Sequence, residues 1–495
     1  MESSVSSGDA SSSRSRAVND PVLRNTLRYT ISAHEYASLH KYILSRSRVL
    51  RRATPTPTRV EKALQPPKGG DDYNARTVRH ALRVFVMTFL GMKGWDIVAK
   101  RMGKEEPSTG GKKKPFYKSP ALRLSISLST ILLLYRILFR FFTRLRVHLL
   151  DPQVEPFRAR NPRTAAMLTS PSAPAIGASF AGLALGIYPA QKMRVTIAIY
   201  TIFRALEFAY NFCEADGLIW GRKNGVKRER PWWFGSWMLQ PFAFGQLLHA
   251  AVFDRDCFPK PFGDLIFKSS SAYLHPRPQD WPSSVKWPQT SEIVDSLAQM
   301  ARLSWPAYVS PTLFPGKEVL PPSLIFSALT VIPRFSSLYH NPLATLQRII
   351  TKALRMSTFA TGALSTAWAS ICFFQQWLPR HVLATQRVFL GGFFAGLWAF
   401  VERRNGRGLF LYSARASVDS LWKVGVKRRW WKSMKGGDIW VFMLALMVTG
   451  VVYEKDAQAI RETNWRKGVS WLQGQGWRDW GAEDDEDEEN KDKEE

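Results

Sequence analysis

Two charge pairs stand inside stretches that are otherwise apolar. Arg204 and Glu207 are three residues apart, and Arg415 and Asp419 are four apart, spacings that put both members of a pair on one helical face. A lone charge at the centre of a bilayer costs about 3 kcal/mol on insertion scales, so each pair needs a partner or a water-filled groove. The pattern predicts a polar cavity between helices, lined by Arg204, Glu207, Arg415 and Asp419, that contacts a headgroup, a metabolite or a polypeptide in passage. The plainer alternative is an ion pair that fixes helix register.

A second constellation is His249 with Asp254. In membrane glycerolipid acyltransferases a His at this spacing is the base toward an acceptor hydroxyl and the carboxylate orients it. No Gly-rich or Pro-containing companion block follows, so the reading is that the chain is not an enzyme, with acyl transfer by His249 and Asp254 as the alternative. Cys213, Cys257 and Cys372 are scattered, and His34 and His40 are six apart and cannot share a metal on one helical face, so neither metal nor disulfide framework is expected. Gly110-Gly111-Lys112 lacks the upstream Gly of a phosphate loop, and no cofactor is expected.

The elements that must position these residues are set by an internal repeat. Phe180-Ala181-Gly182-Leu183 recurs as Phe394-Ala395-Gly396-Leu397, and the similarity runs on through the charged helix to Asp254-Arg255-Asp256 in the first copy and Glu454-Lys455-Asp456 in the second. Gly177, Ala181, Gly182 and Gly186 fall at four- and five-residue intervals, and Gly392 and Gly396 are four apart; small residues so placed let helix backbones approach closely. Candidate spans are Leu122 to Phe142, Pro174 to Ala190, Met193 to Cys213 and Trp232 to Phe253, mirrored by Met356 to Leu378, Val388 to Val401, Gly408 to Val424 and Ile439 to Tyr453. Several are shorter than the roughly 20 residues of a free-standing span, so they are expected to insert as bundles.

The expected fold is therefore all-α: a multi-pass transmembrane helical protein of two repeated four-helix bundles, residues 121–256 and 351–456, with a Pro- and Trp-rich insert at 257–350. Residues 1–21 form a disordered Ser-rich tail. Residues 22–52 form a basic amphipathic helix opened by a capping box at Ser32 and Glu35. Residues 53–120 form a linker with one interfacial or re-entrant segment, and 457–495 are an extension ending in an acidic tail.

The charge balance bounds the partners. The chain has 69 Lys and Arg against 40 Asp and Glu; ten of the acids and two lysines follow Ala482, which leaves 67 basic against 30 acidic side chains elsewhere. The basic residues lie mainly in loops between apolar segments, which suits anionic headgroups rather than nucleic acid. Trp232-Trp233 and Trp430-Trp431 sit beside Lys and Arg at span edges, as in an interfacial belt. The loops carrying Arg222 to Arg230 and Lys427 to Lys435 are expected on one face of the membrane, with the two acidic-basic-acidic triplets on the other.

Leu247-Leu248-His249-Ala250 leading into Phe253-Asp254-Arg255-Asp256-Cys257-Phe258-Pro259-Lys260, together with Ser420-Leu421-Trp422-Lys423-Val424-Gly425-Val426-Lys427, resembles fungal members of the transmembrane protein 135 family. That family is related to the peroxisomal membrane protein and mitochondrial translocase superfamily of glycine-rich four-helix bundles. The resemblance covers roughly residues 22 to 455 and implies an integral peroxisomal or mitochondrial membrane protein. Such a protein would be a transporter-like or organising component in lipid or metabolite handling and organelle dynamics, with other organelle membrane proteins as partners. It carries over no catalytic residues, and a non-transporting scaffold is a further alternative.

Overall fold

The computed structural model describes residues 21–42, 44–46, 54–64, 72–101, 119–223, 226–228, 230–259, 342–379 and 382–479, with Gly263, Glu292, Val294, Asp295 and Ala298. Most of the Pro- and Trp-rich stretch 257–350, the Ser-rich residues 1–20 and the acidic run from Glu483 lie outside the described residues.

Ser32 and Glu35 close the capping box read from the sequence: the Ser32 amide donates to Glu35 Oε2 at 2.9 Å and the Glu35 amide to Ser32 Oγ at 3.3 Å. The box starts a new helix, so the expected single helix over 22–52 is instead α1 (Pro21–Thr30) and α2 (Ala33–Tyr42). The expected linker is also helical, as α3 (Pro57–Leu64) and a 29-residue α4 (Tyr73–Arg101). The expected interfacial or re-entrant segment, Val84 to Met92, lies within α4, whose Met87, Leu90 and Trp95 are exposed. Polar residues flanking that run continue the helix, because straight-chain Arg and Lys are good helix formers.

Then come α5 (Pro120–Leu150), α6 (Glu155–Arg160), α7 (Pro162–Thr169), α8 (Ala173–Ala178), a 3₁₀ segment over Ser179–Ile187, and α9 (Gln191–Ala215). Outside the helices the described residues hold only a two-residue antiparallel ladder, β1 (Arg222–Lys223) with β2 (Val226–Lys227). The chain continues through α10 (Leu239–Phe253), α11 (Pro342–Trp377), α12 (Gln386–Gly396) with a 3₁₀ end at Leu397–Glu402, and α13 (Arg407–Lys427). It ends with α14 (Gly437–Lys455) and α15 (Thr463–Gln473). α10 starts seven residues later than the expected Trp232, since the backbone at Gly235 is extended and the helix follows it.

These helices gather into two units, one of residues 1–227 with 435–495 and one of residues 228–434. The bundles drawn along the chain, 121–256 and 351–456, are therefore not the bundles in space. The first unit packs α5, α8 with its 3₁₀ end, and α9 around α14; Ala184, Leu185 and Ala198 meet Phe442 there. The second packs α11, α12 and α13 around α10, with Leu247, Ala250 and Ala251 against Val424. Each unit thus takes its fourth helix from the other stretch of chain.

Helix direction explains the exchange. In the first unit Arg194 and Asp438 join the starts of α9 and α14, while Asn211 in the last turns of α9 meets Ala459 just past the end of α14, so the two helices run parallel. In the second unit Gln240 meets Ser413 near the starts of α10 and α13, and Asp254 meets Arg428 at their ends. A short loop makes antiparallel neighbours; parallel neighbours need a long crossover, which the exchange supplies. The expected separation of basic loops from acidic triplets is overturned for the same reason. In the second unit Lys427 Nζ reaches Asp256 at 3.2 Å and Arg428 reaches Asp254 at 2.6 Å, so triplet and basic loop share one end.

Among the described residues two helices are long and apolar enough to cross a membrane, α5 and α14; α7 with residues 173–187 passes the same test as a pair bent by 86°. Along the repeated tetrapeptide Ala181, Gly182, Ala395 and Gly396 face inward, while Phe180, Leu183, Phe394 and Leu397 are exposed. Small residues inward and large apolar residues outward is the packing that lipid favours over water.

Candidate functional site

The segment after α14 straps back across the first unit. Asp456 Oδ1 accepts from the Gln458 and Ala459 amides at 2.9 and 3.3 Å, turning the chain so that Ile460 is buried with Phe208, Val452, Tyr453 and Val469. α15 then runs on to Gly474, whose φ of +91° ends it in the left-handed conformation that glycine adopts freely. The sequence reading gave this stretch no structure; Trp465, Val469 and Leu472 at helical spacing were the signal for it.

The first charge pair lies under the strap. Arg204 Nη1 donates to Glu207 Oε2 at 2.9 Å and to Glu462 Oε1 at 3.1 Å, and its guanidinium lies 5.4 Å from the Trp465 ring. Asn211 Nδ2 donates to the Ala459 carbonyl at 3.0 Å, and Arg461 pairs with Glu214 at 3.0 Å. Arg204 is a tie point between α9 and the strap.

The second pair is arranged differently. Asp419 is held by Lys423 one turn on, rather than by Arg415. Arg415 donates from Nε to the Leu411 carbonyl at 3.3 Å and lies over the Tyr412 ring. The two pairs also belong to different units. Lys423 wins because it extends back toward the carboxylate from the C-terminal side, the favoured order for an i,i+4 pair.

Asp254, the carboxylate of the acyltransferase alternative, is 5 % exposed and takes Arg428 at 2.6 Å and Lys427 at 3.6 Å. His249 packs its ring 4.9 Å from that of Phe253. Asp254 is the counter-ion to the end of α13. Among the described residues no cluster of His, Cys, Asp and Glu is placed to hold a metal.

The glycines mark where the fourth helices seat. A Cβ on Gly392 would stand 2.5 Å from the Phe244 carbonyl oxygen, and one on Gly396 2.5 Å from Pro241 Cα, both on α10. In the first unit a Cβ on Gly182 would stand 2.7 Å from Met443 Cγ and one on Gly186 3.1 Å from Ile439 Cδ1, both on α14. Gly177 meets Phe142 on α5 instead, and Ala181 is buried with Tyr135, Phe139 and Ala178.

The feature that sequence reasoning missed is Arg136, midway along α5. It is 3 % exposed. Its Nη2 donates to the Trp471 carbonyl, and its guanidinium lies 4.8 Å from the Trp471 ring. Its Nε is buried with no acceptor. Beside it is a cavity of about 80 Å³ lined by Tyr73, Arg76, Thr77, His80, Arg136 and Trp471, with the Gly474–Gly476 turn at its rim. The Tyr73 hydroxyl reaches the Arg136 and Gln473 carbonyls at 3.1 and 3.3 Å, and Arg140 lies 4.5 Å from the Tyr73 ring. Burial, then the Arg136, Arg83 and Arg79 charges, holds His80 down to about 4, with Glu35 opposing. His80 is therefore neutral near pH 7, while no acidic side chain lines the cavity. Arg136, standing alone in the apolar run from Leu124 to Phe139, was the clue available in the sequence.

No protein-family model, curated protein or solved structure matches the chain.

Proposed function

We propose that the chain is a multi-pass protein of a peroxisomal or mitochondrial membrane, built by internal duplication in the manner of the transmembrane protein 135 family, and that it organises lipid in that membrane. The observation that carries this reading is the shared design of the two units. In each, a glycine-bearing helix that tightens into 3₁₀ receives an apolar helix at backbone contact and turns Phe and Leu outward.

An organising role has more support than a conduit. Arg204 is occupied by Glu207, Glu462 and Trp465, and Asp419 by Lys423 on its own helix, so these charges are engaged by neighbouring side chains, which supports a structural role over an open path.

The test is localisation and extraction of the full chain. A fluorescent fusion should follow peroxisomal or mitochondrial markers, resist alkaline carbonate, and change the phospholipid composition of that organelle when deleted. Release by carbonate would overturn the membrane reading. Unchanged lipid composition with correct localisation would overturn the lipid role alone.

A further inference from the structure

We propose that the cavity beside Arg136 is a binding site for a phosphate ester, held by the Arg76 and Arg136 guanidiniums beneath the Trp471 roof. This deepens the reading above by naming a ligand, and rests on it only for the membrane depth of the site.

Four observations converge on an anion. Arg136 is almost fully buried with an N–H that has no acceptor, and a buried donor left unmade costs about 1–3 kcal/mol, more on a charged group. Arg76 lines the same space and its side chain is exposed, so the cavity draws on two arginines, the residue type whose planar fork matches phosphate oxygens. Asp72, the residue before Tyr73, is already taken by Arg28 at 2.9 Å and Arg79 at 2.7 Å. His80, neutral near pH 7, still carries one ring N–H that can donate to an oxygen.

Size and depth narrow the class. At about 80 Å³ the cavity falls well short of the roughly 300 Å³ at which sites for whole small molecules begin, so it takes one compact group and leaves the remainder of the ligand outside. Arg136 stands about 18 Å along α5 from Leu124 at 1.5 Å per residue, and Arg140, Arg144 and Arg146 follow it. An apolar stretch giving way to arginines is where a crossing helix meets the headgroup layer. A phospholipid phosphate reaches that depth from the bilayer and a soluble phosphate monoester from the water, and both present the same oxygens.

Full-length protein in dodecyl maltoside micelles, which carry no phosphate, separates these sources. Its thermal midpoint and the His80 ring resonances would be followed while glycerol 3-phosphate or phosphatidylcholine is added. Saturable stabilisation by glycerol 3-phosphate, accompanied by a rise in the His80 titration midpoint and absent with phosphatidylcholine, identifies a soluble ester. Stabilisation and the same His80 shift on adding phosphatidylcholine, with no further response to glycerol 3-phosphate, identify a lipid headgroup. In either case Arg76→Gln, on an exposed side chain, should weaken the response at least tenfold, and Arg136→Lys should weaken it while preserving the charge. The proposal is overturned if neither probe moves His80, or if the response survives Arg76→Gln intact. Either outcome leaves carbonate resistance and localisation untouched.

Discussion

Arg194 donates from Nε to the Asp438 carboxylate across 2.5 Å, tying the first turn of α9 to the first turn of a helix 244 residues further along the chain. Asp438 is 4 % exposed and Arg194 16 % at the side chain, and Arg194 also holds the Tyr188 carbonyl at 2.7 Å. Removing one partner of a buried pair costs about 3–5 kcal/mol because the other charge is stranded. Asp438→Asn should therefore lower the unfolding free energy of the purified protein by about 3 kcal/mol, the low end of that range. A loss too small to separate from wild type by denaturant titration would mean that α14 is held in place by its apolar face alone.

The glycines should rank by what their Cβ would strike. At Gly392 and Gly396 the obstacle is α10 backbone, at 2.5 Å in each case, whereas at Gly186 it is the end of the Ile439 side chain at 3.1 Å. Alanine at Gly392 or Gly396 should destabilise by about 1–3 kcal/mol, the usual range for overpacking, and Gly186→Ala by little. Equal thermal midpoints for the Gly186→Ala and Gly396→Ala proteins would contradict the seating of α10 on α12.

His80 sets a pH window. Its folded value of about 4 lies below the ordinary 6.5, so the unfolded chain takes up a proton first as pH falls. Stability contributed by neutral His80 is whole above about 6.5 and drains toward 4. Asp72 and Glu35 act lower: burial pushes both up, but Arg79 and Arg28 on Asp72, and Ser32 and Arg83 on Glu35, outweigh it and hold them below the carboxylate range. Replacing His80 with Phe should flatten the midpoint between pH 6.5 and 4 and leave the steeper fall below that unchanged. A wild-type curve already flat over the upper window would place His80 in water.

Ending the chain after Asp456 removes Glu462, Trp465 and Trp471 and uncovers Arg204 and Arg136, so the shortened protein should be cut by protease within α4 or α9 at least several times faster than wild type. Ending it after Asp479 keeps every one of those contacts, and its cleavage rate should match wild type.

Much of the local structure could be read along the chain. Ser32 and Glu35 announced a helix start because a capping box is a contact between near neighbours, and Ala181 with Gly182 announced a close helix approach because only small side chains permit it. Partner choice could not be read. The apolar faces of α10 and α14 fit either glycine-bearing helix by composition, and the choice is settled by Arg194 with Asp438 and by Asp254 with Arg428, pairs that sequence spacing cannot reveal. Arg415 and Asp419 misled for a related reason: i,i+4 spacing allows a pair, but Asp419 had Lys423 at the same spacing on its other side.

The exchange of fourth helices imposes an order on synthesis. The groove formed by Ala175, Gly182 and Leu185 is complete once α9 has left the ribosome, yet α14, which fills it, is translated only after all of residues 228–434. At the usual 5–20 residues per second that interval is on the order of ten to forty seconds. Any stalled or prematurely terminated chain that stops short of Gly437 leaves that groove vacant, so a nonsense mutation late in the message damages the first unit, the part of the protein made earliest.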